Sequence, residues 1–446
     1  MLRKGDLTQG GITGTLLHFT LPMLVGSFLQ QCYNIADTLI VGQCIGAGAL
    51  AAVGSAYTLM VFLISVLLGL AMGSGTVFSL HYGAGNHVAL RRSIFSSFVL
   101  IGIVTLILNV AVFIWIDPIL QLLQVPQDIY GMMRSYLWII FCGIVFTFIY
   151  NFYASLLRAV GDSVTPLWFL AVSVVLNIAL DLFFILQLDW GIQGAAAATV
   201  LAQGVAALGI IIYTYRRRPE LRWHHEDMCF DRTCLKEIAS FSTLTCVQQS
   251  VMNLGILMVQ GLVNSFGTAV MAAFAAAVKI DSFAYMPVQE FGNAFFTFIA
   301  QNFGAGRYDR IHRGVRSAFV TAVVFSLLVS VLVFIFAKPL ILIFVRPDET
   351  EIIAVGVAYL RIEGAFYCGI GILFLLYGYY RAIRMPGMSV VLTVLSLGTR
   401  VVLSYWFASI PEIGVTGIWW SIPIGWLIAD VVGIWCYRYV KGVRGS

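Results

Sequence analysis

The stretch LPMLVGSFLQQCYNIADTLIVG at positions 21–42 carries one charged residue, Asp37. It is long enough to cross a ~30 Å hydrocarbon core as a helix, so it reads as a membrane span. An ionised carboxylate inside a span costs several kcal/mol, and such residues usually line a pathway or relay protons. Pro22 stands fifteen residues earlier in the same helical run. It removes a backbone donor and crowds the preceding turn, so the helix is expected to bend there. An acid and a bend in one helix are the parts of a proton-operated switch. A structural Asp at the outer helix end beside a tolerated proline is the alternative.

The rest of the chain has the same character. Its 446 residues are 60% hydrophobic and 11% charged, with mean hydropathy +0.93. Soluble domains carry about 25% charged residues. Twelve apolar runs follow one another, at about 15–41, 49–82, 93–116, 134–157, 164–188, 191–215, 236–263, 269–303, 317–337, 354–380, 387–409 and 414–437. Breakers such as Gly83-Ala84-Gly85, Gly304-Ala305-Gly306 and Pro386-Gly387 separate them. The sequence therefore predicts an all-α polytopic membrane protein of twelve transmembrane helices. Of the 26 Lys and Arg, only Arg134, Lys338, Arg346 and Arg361 fall at the outer ends, and Lys279 and Arg400 lie within spans. The remainder gather at the other ends, which places both termini in the cytoplasm of a multi-pass cell-membrane protein. No basic patch suited to nucleic acid is present. The eight Cys form no framework and are read as free thiols.

The two halves repeat. Gly83-Ala84-Gly85 and Gly304-Ala305-Gly306 are 221 apart, while Gly191/Gly194 with Gly414/Gly417, and Arg158-Ala159 with Arg381-Ala382, are 223 apart. Six spans follow six in the same orientation. The halves are then two six-helix lobes, 1–215 and 237–446, related by a pseudo-twofold axis along the membrane normal. Residues 216–236, with six basic and four acidic side chains, are expected to be a solvated cytoplasmic linker that tolerates change. His224, His225, Cys229 and Cys234 within it match no common zinc spacing.

Polar residues inside the spans mark the candidate site. Span 1 presents Gln30, Tyr33, Asn34 and Asp37 at helical spacing. Span 5 presents Asn177 and Asp181, and span 6 Thr199 and Gln203, each pair on one face. At ~1.5 Å per residue, Asp37, Asp181 and Thr199 lie about 6, 10 and 12 Å from the outer ends. One shared pocket is the expectation, with separate helix–helix hydrogen bonds as the alternative. The second half does not copy it: Arg400 stands where Asn177 does and Ser404 where Asp181 does. It instead buries Lys279, Asp281, Glu290, Glu363, Arg400 and Asp430. Structural ion pairs, Lys279 with Asp281 and Arg400 with a nearby acid, or a second coupling or substrate site formed by Lys279, Glu290, Glu363 and Arg400, both stay open.

The chain resembles the MATE family of multidrug and toxic compound extrusion transporters over nearly its whole length. The resemblance is carried by Leu21-Pro22, residues 37–42, Tyr82-Gly83-Ala84-Gly85-Asn86, residues 157–162, residues 289–294 and residues 300–306. It implies a two-lobed exporter that exchanges a drug for protons or sodium. It assigns Asp37, Asn177, Asp181 and Thr199 to a cation site, proton or sodium, and the bend to Pro22. It also assigns Gln30, Tyr33 and Asn151 to the substrate cavity, to which Asn34 and Gln203 are added from their spacing.

The function expected is secondary antiport of amphipathic, often cationic organic compounds. No cofactor beyond the coupling ion is expected, and the protein is read as a monomer among membrane lipids. A flippase of lipid-linked substrates is the rival. It would want several basic residues in the cavity, and only Lys279 and Arg400 lie within spans. No nucleophile motif, metal cluster or Walker loop argues for an enzyme or for direct use of ATP.

Overall fold

Apolar runs this long must satisfy their backbone groups internally, which helices do. The computed structural model describes residues 6–122, 125–228 and 232–444. Among them the chain forms fourteen α-helices and no strand: α1 (Ile12–Cys44), α2 (Ala47–Gly83), α3 (His87–Leu122), α4 (Gln127–Cys142), α5 (Ile144–Ala159), α6 (Val164–Leu186), α7 (Gly191–Arg217), α8 (Arg232–Asn264), α9 (Thr268–Gly304), α10 (Tyr308–Ile341), α11 (Thr350–Gly364), α12 (Tyr367–Ala382), α13 (Pro386–Ala408) and α14 (Gly414–Arg444). Ten are long and apolar enough to cross a membrane. Counting α4 with α5, bent by 48°, and α11 with α12, bent by 51°, gives the twelve spans the sequence predicts.

The repeat extends to the breaks. α4 and α11 begin 223 residues apart, as do α5 and α12. Gly191 and Gly414 open α7 and α14 with φ +54 and +52, a conformation L side chains avoid. At the first break, a Cβ on Gly143 would lie 2.6 Å from Val200 Cγ2, so glycine there lets α7 close on the bend. α1 carries no departure from helical φ/ψ at Pro22. α3 and α10 do break, at Trp115 (φ −108, ψ 17) and Phe336 (φ −94, ψ 15), each three residues before a proline, Pro118 and Pro339. The ring crowds the turn before it, and there the helix yields.

The chain divides into two compact units. Residues 21–246 belong to the first; residues 7–20 and the chain from Val247 on belong to the second. The divisions therefore fall inside α1, beside Pro22, and inside α8, not within 216–236. In the first unit α2 and the opening half of α8 cross at Gly69 and Gly73, where an added Cβ would lie 2.7 Å from Cys246 Cα and 2.5 Å from Ser242 Cα.

Residues 216–228 also lie on the first unit. Leu221 is buried, and Trp223 sits 5.9 Å from the Phe95 ring and 5.5 Å from Phe98. Arg91 Nε donates to Asp227 Oδ2 at 2.7 Å, and Arg218 reaches Asp162 at 3.2 Å. Most of residues 216–228 are exposed, with Leu221 and Asp227 buried and Arg218 and Asp227 paired to the helix ends. Ser93 Oγ lies 3.3 Å from Cys234 Sγ, and Cys229 is outside the described residues.

In the second unit the segment before α1 is held by its backbone. Arg310 donates to the carbonyls of Gly10 at 2.7 Å and Gln9 at 2.6 Å, Arg307 to that of Thr8 at 2.6 Å, and the Leu7 N–H donates to Gln301 Oε1 at 3.1 Å.

Candidate functional site

α6 and α7 are brought close by small residues. Ala195, Ala196, Ala198 and Ala202 of α7 are buried, and a Cβ on Gly194 would lie 3.0 Å from Phe184 Cβ. Phe184 stacks on Trp190 with ring centroids 5.0 Å apart. This registers Asn177 and Asp181, one turn apart on α6, against Thr199 of α7. Asp181 is fully buried and Asn177 is 2% exposed. In the orientation that satisfies both neighbours, the Asn177 NH2 donates to Asp181 Oδ2 at 2.9 Å and its oxygen accepts from the Thr199 N–H at 3.1 Å. The Thr199 hydroxyl donates back to Ala195 O at 3.1 Å, and the Tyr33 hydroxyl lies 3.5 Å from it.

α1 completes the pocket. The Asp37 side chain lies near enough to Asp181 for the two acids to act on each other electrostatically. Two carboxylates offer only acceptors, so the pair is suited to a proton or a cation between them. Asp37 Oδ1 and Asp181 Oδ1 are buried without other partners. Among the described residues no Lys, Arg or His acts on either acid. From Leu21 on, Met23, Gly26 and Val41 of α1 are buried.

Asp37, Asn177, Asp181, Thr199 and Tyr33 therefore come together, as the spacing predicts. Gln203 joins at one remove, accepting from the Thr147 hydroxyl, and Asn151 donates to Thr147 O at 2.8 Å. Gln30 and Asn34 bond along α1 itself, Gln30 to Asn34 at 3.4 Å and Asn34 to Gln31 at 3.5 Å. Tyr136 of α4, buried and within electrostatic reach of both acids and of Tyr33, was not legible beforehand. The signal that would have found it is the repeat, since Tyr136 and Tyr359 stand 223 apart.

A second acid pair lies in the second unit. Asp281 of α9 and Glu363 of α11 are 2% and 4% exposed and act on each other electrostatically. The Tyr367 hydroxyl donates to Asp281 Oδ1, and the Tyr359 hydroxyl meets Glu363. Tyr359 is packed edge-on against Trp419 at 4.8 Å. Arg400 acts on Glu363 electrostatically, with no direct ion pair among the described residues. The expected Lys279–Asp281 pair does not form. Residues two apart on a helix point to different sides, and Lys279 Nζ instead lies 5.9 Å over the Phe344 ring. Glu290 stands apart from this cluster and accepts from Asn293 at 3.4 Å.

The MatE family profile matches residues 22–183 and again 245–406, two copies 223 residues apart. The chain belongs to the MATE family. A probable multidrug resistance protein of Bacillus subtilis (strain 168) is 31% identical to it, over 98% of this chain and 97% of that protein. Its fold matches that of a multidrug resistance MATE family transporter of the MOP superfamily solved in an outward-facing conformation, with TM-score 0.92, 22% identity and 99% of each chain covered. It also matches a MATE structure described as bent, with TM-score 0.93, 22% identity, 100% of this chain and 99% of the other. The MATE chain described here is thus a multi-pass membrane transporter.

Proposed function

We propose that this MATE protein is a secondary antiporter of the cell membrane, with both termini cytoplasmic, that exports amphipathic organic cations in exchange for protons held at Asp37 and Asp181. The observation that carries this reading is the gathering of Asp37, the fully buried Asp181, Asn177, Thr199 and Tyr33, with no basic side chain among the described residues acting on either acid. Burying an unpaired charge costs several kcal/mol, so the pair favours a state in which a proton or cation neutralises it. Outside protons filling the pair would release α1 from its polar contacts, Tyr33 to Thr199 and Asp37 to Asp181, and let it move about Pro22. The unit division beside Pro22 supports that role.

We take the proton as the coupling ion, with sodium as the rival that the separate gradients below distinguish. Exchange of one proton for one monovalent cation is electroneutral. A pH gradient then drives it with about 1.4 kcal/mol per unit, enough for roughly a tenfold substrate gradient. The name of the Bacillus subtilis relative supports small-molecule substrates. Against a flippase of pyrophosphate-linked lipids stands the scarcity of basic residues within the spans, where only Lys279 and Arg400 lie.

Efflux of the lipophilic cation tetraphenylphosphonium from proteoliposomes, with pH and sodium gradients imposed separately, tests the reading. Transport driven by the pH gradient alone is expected. Transport driven only by sodium, or by neither, would overturn it.

A further inference from the structure

One face of α10 changes character along its length. Arg313 and Arg316 are exposed near its start, and Val320, Val324, Leu327 and Val331 follow, all more than half exposed. Steps of three and four residues keep them on one side of the helix. α10 is long and apolar enough to cross a membrane, so its exposed apolar side faces acyl chains. Val320 to Val331 covers ~16 Å at 1.5 Å per residue. That is about half of a ~30 Å hydrocarbon core, the depth of one leaflet. The two arginines stand just outside it, at the level of the headgroups. Tyr308, exposed at the helix start, is a residue type that settles at that level.

Arg307, Arg310 and Arg313, with Gly306, Tyr308 and Asp309, line a groove of about 470 Å³ at the start of this face. Arg307 and Arg310 turn to the carbonyls of Thr8, Gln9 and Gly10. Arg313 and Arg316 have no hydrogen bond or ion pair among the described residues. In the first unit the corresponding helix start is answered by an acid of the chain itself, since Arg91 of α3 donates to Asp227 at 2.7 Å. From Gly306 to Ser317 there are four arginines and a single carboxylate, Asp309.

Exposed guanidinium groups can be satisfied by water, so the arginines alone prescribe nothing. Their junction with the apolar face points to a ligand: an anion held there continues into acyl chains along the same side of one helix. A guanidinium matches phosphate with two parallel N–H bonds, and side chains three apart can bracket one phosphodiester. We propose that the start of α10 binds an anionic diacyl phospholipid. Its phosphate lies at Arg313 and Arg316, the rest of its headgroup in the groove, and an acyl chain along Val320 to Val331. A zwitterionic headgroup would bring its own cation against the arginines and is disfavoured. The site uses neither acid pair, so it stands whichever ion drives transport.

The test titrates purified full-length protein in dodecyl maltoside micelles with dioleoylphosphatidylglycerol and follows the melting midpoint by tryptophan fluorescence. The wild-type midpoint should rise with this lipid. It should not rise with dioleoylphosphatidylcholine, nor with glycerophosphoglycerol, the same headgroup without chains. Arg313→Gln and Arg316→Gln should each raise the half-maximal lipid concentration about fivefold, and the double variant about twenty-fivefold, the contribution expected of basic residues at a membrane surface. Arg216→Gln with Arg217→Gln removes the same charge from the exposed end of α7 and should stay near wild type. An Arg313/Arg316 double variant that binds like wild type, or no more weakly than the α7 control, would overturn the proposal and leave the arginines a solvated face. An equal rise with phosphatidylcholine would overturn it in favour of acyl chains alone, and an equal rise with glycerophosphoglycerol in favour of a free anion.

Discussion

Gly73→Ala adds one methyl group where α2 crosses the first half of α8. The new carbon would lie 2.5 Å from Ser242 Cα, 2.6 Å from Phe241 O and 2.7 Å from Ser242 N. All three are backbone atoms, so no side-chain rotation relieves the clash. Carbon contacts settle at about 3.5–4 Å, so the helices must part by roughly 1 Å. Parting stretches the Ser74 to Ser242 hydroxyl contact at 3.0 Å and the bond from Ser242 to Leu70 O at 3.1 Å. Overpacking costs about 1–3 kcal/mol, and a weakened interhelical hydrogen bond adds about 0.6 kcal/mol. A loss of about 2–4 kcal/mol follows. Gly261→Ala on the same α8 meets nothing within 4 Å and should stay within about 0.5 kcal/mol of wild type. Reversible unfolding of the purified protein in mixed micelles measures both. Equal stability of the two variants would refute the close crossing.

Three further outcomes are expected. Arg310→Ala removes the donors to the Gln9 and Gly10 carbonyls and the guanidinium 5.3 Å over Phe298; it should cost about 1–3 kcal/mol and speed proteolysis between residues 6 and 11, and unchanged cleavage would contradict the clasp. Burial pushes the Asp227 carboxyl up, but the Arg91 guanidinium and the His224 N–H outweigh it and hold the carboxyl below its ordinary value. A depressed carboxylate stabilises above its unfolded value of about 3.9 and loses that contribution as pH falls through the folded value. Asp227→Asn should therefore lower the melting temperature at neutral pH and flatten its fall below about pH 4; a melting curve that falls with acid as in wild type would contradict this. Pro22→Ala should reach the membrane and export more slowly, and unchanged export would assign the proline to packing alone.

The spans were legible because each is a long apolar run closed by glycine, as at Gly83, Gly304, Gly191 and Gly414. The acid pocket was legible because Asn177 and Asp181 share a face and their depth matches that of Asp37. The bends at Gly143 and Phe366 were not, since they interrupt continuous apolar runs and leave hydropathy unchanged. Tyr136 was hidden for the same reason: a tyrosine in an apolar span reads as core until its neighbours are known. Pro118 and Pro339 escaped attention because they fall near helix ends, where proline is common. The pairing of Asp281 with Glu363 joins two helices far apart in sequence, which no local pattern reveals. The anchoring of residues 216–228 through Arg218 and Asp227 was not legible, because their partners Asp162 and Arg91 lie far away in sequence.

The central claim is that Asp37 and Asp181 together hold the exchanged proton. It is tested most directly by proton release when tetraphenylphosphonium is added to purified protein, comparing wild type with Asp37→Asn, Asp181→Asn and the double variant. Each substitution keeps shape and leaves no buried charge stranded, so folding should survive. Release and pH-driven export should be lost in each single variant, and the double should be no worse, because groups acting as a unit are non-additive. An Asp37→Asn protein that releases protons and exports the cation like wild type would place the coupling site elsewhere.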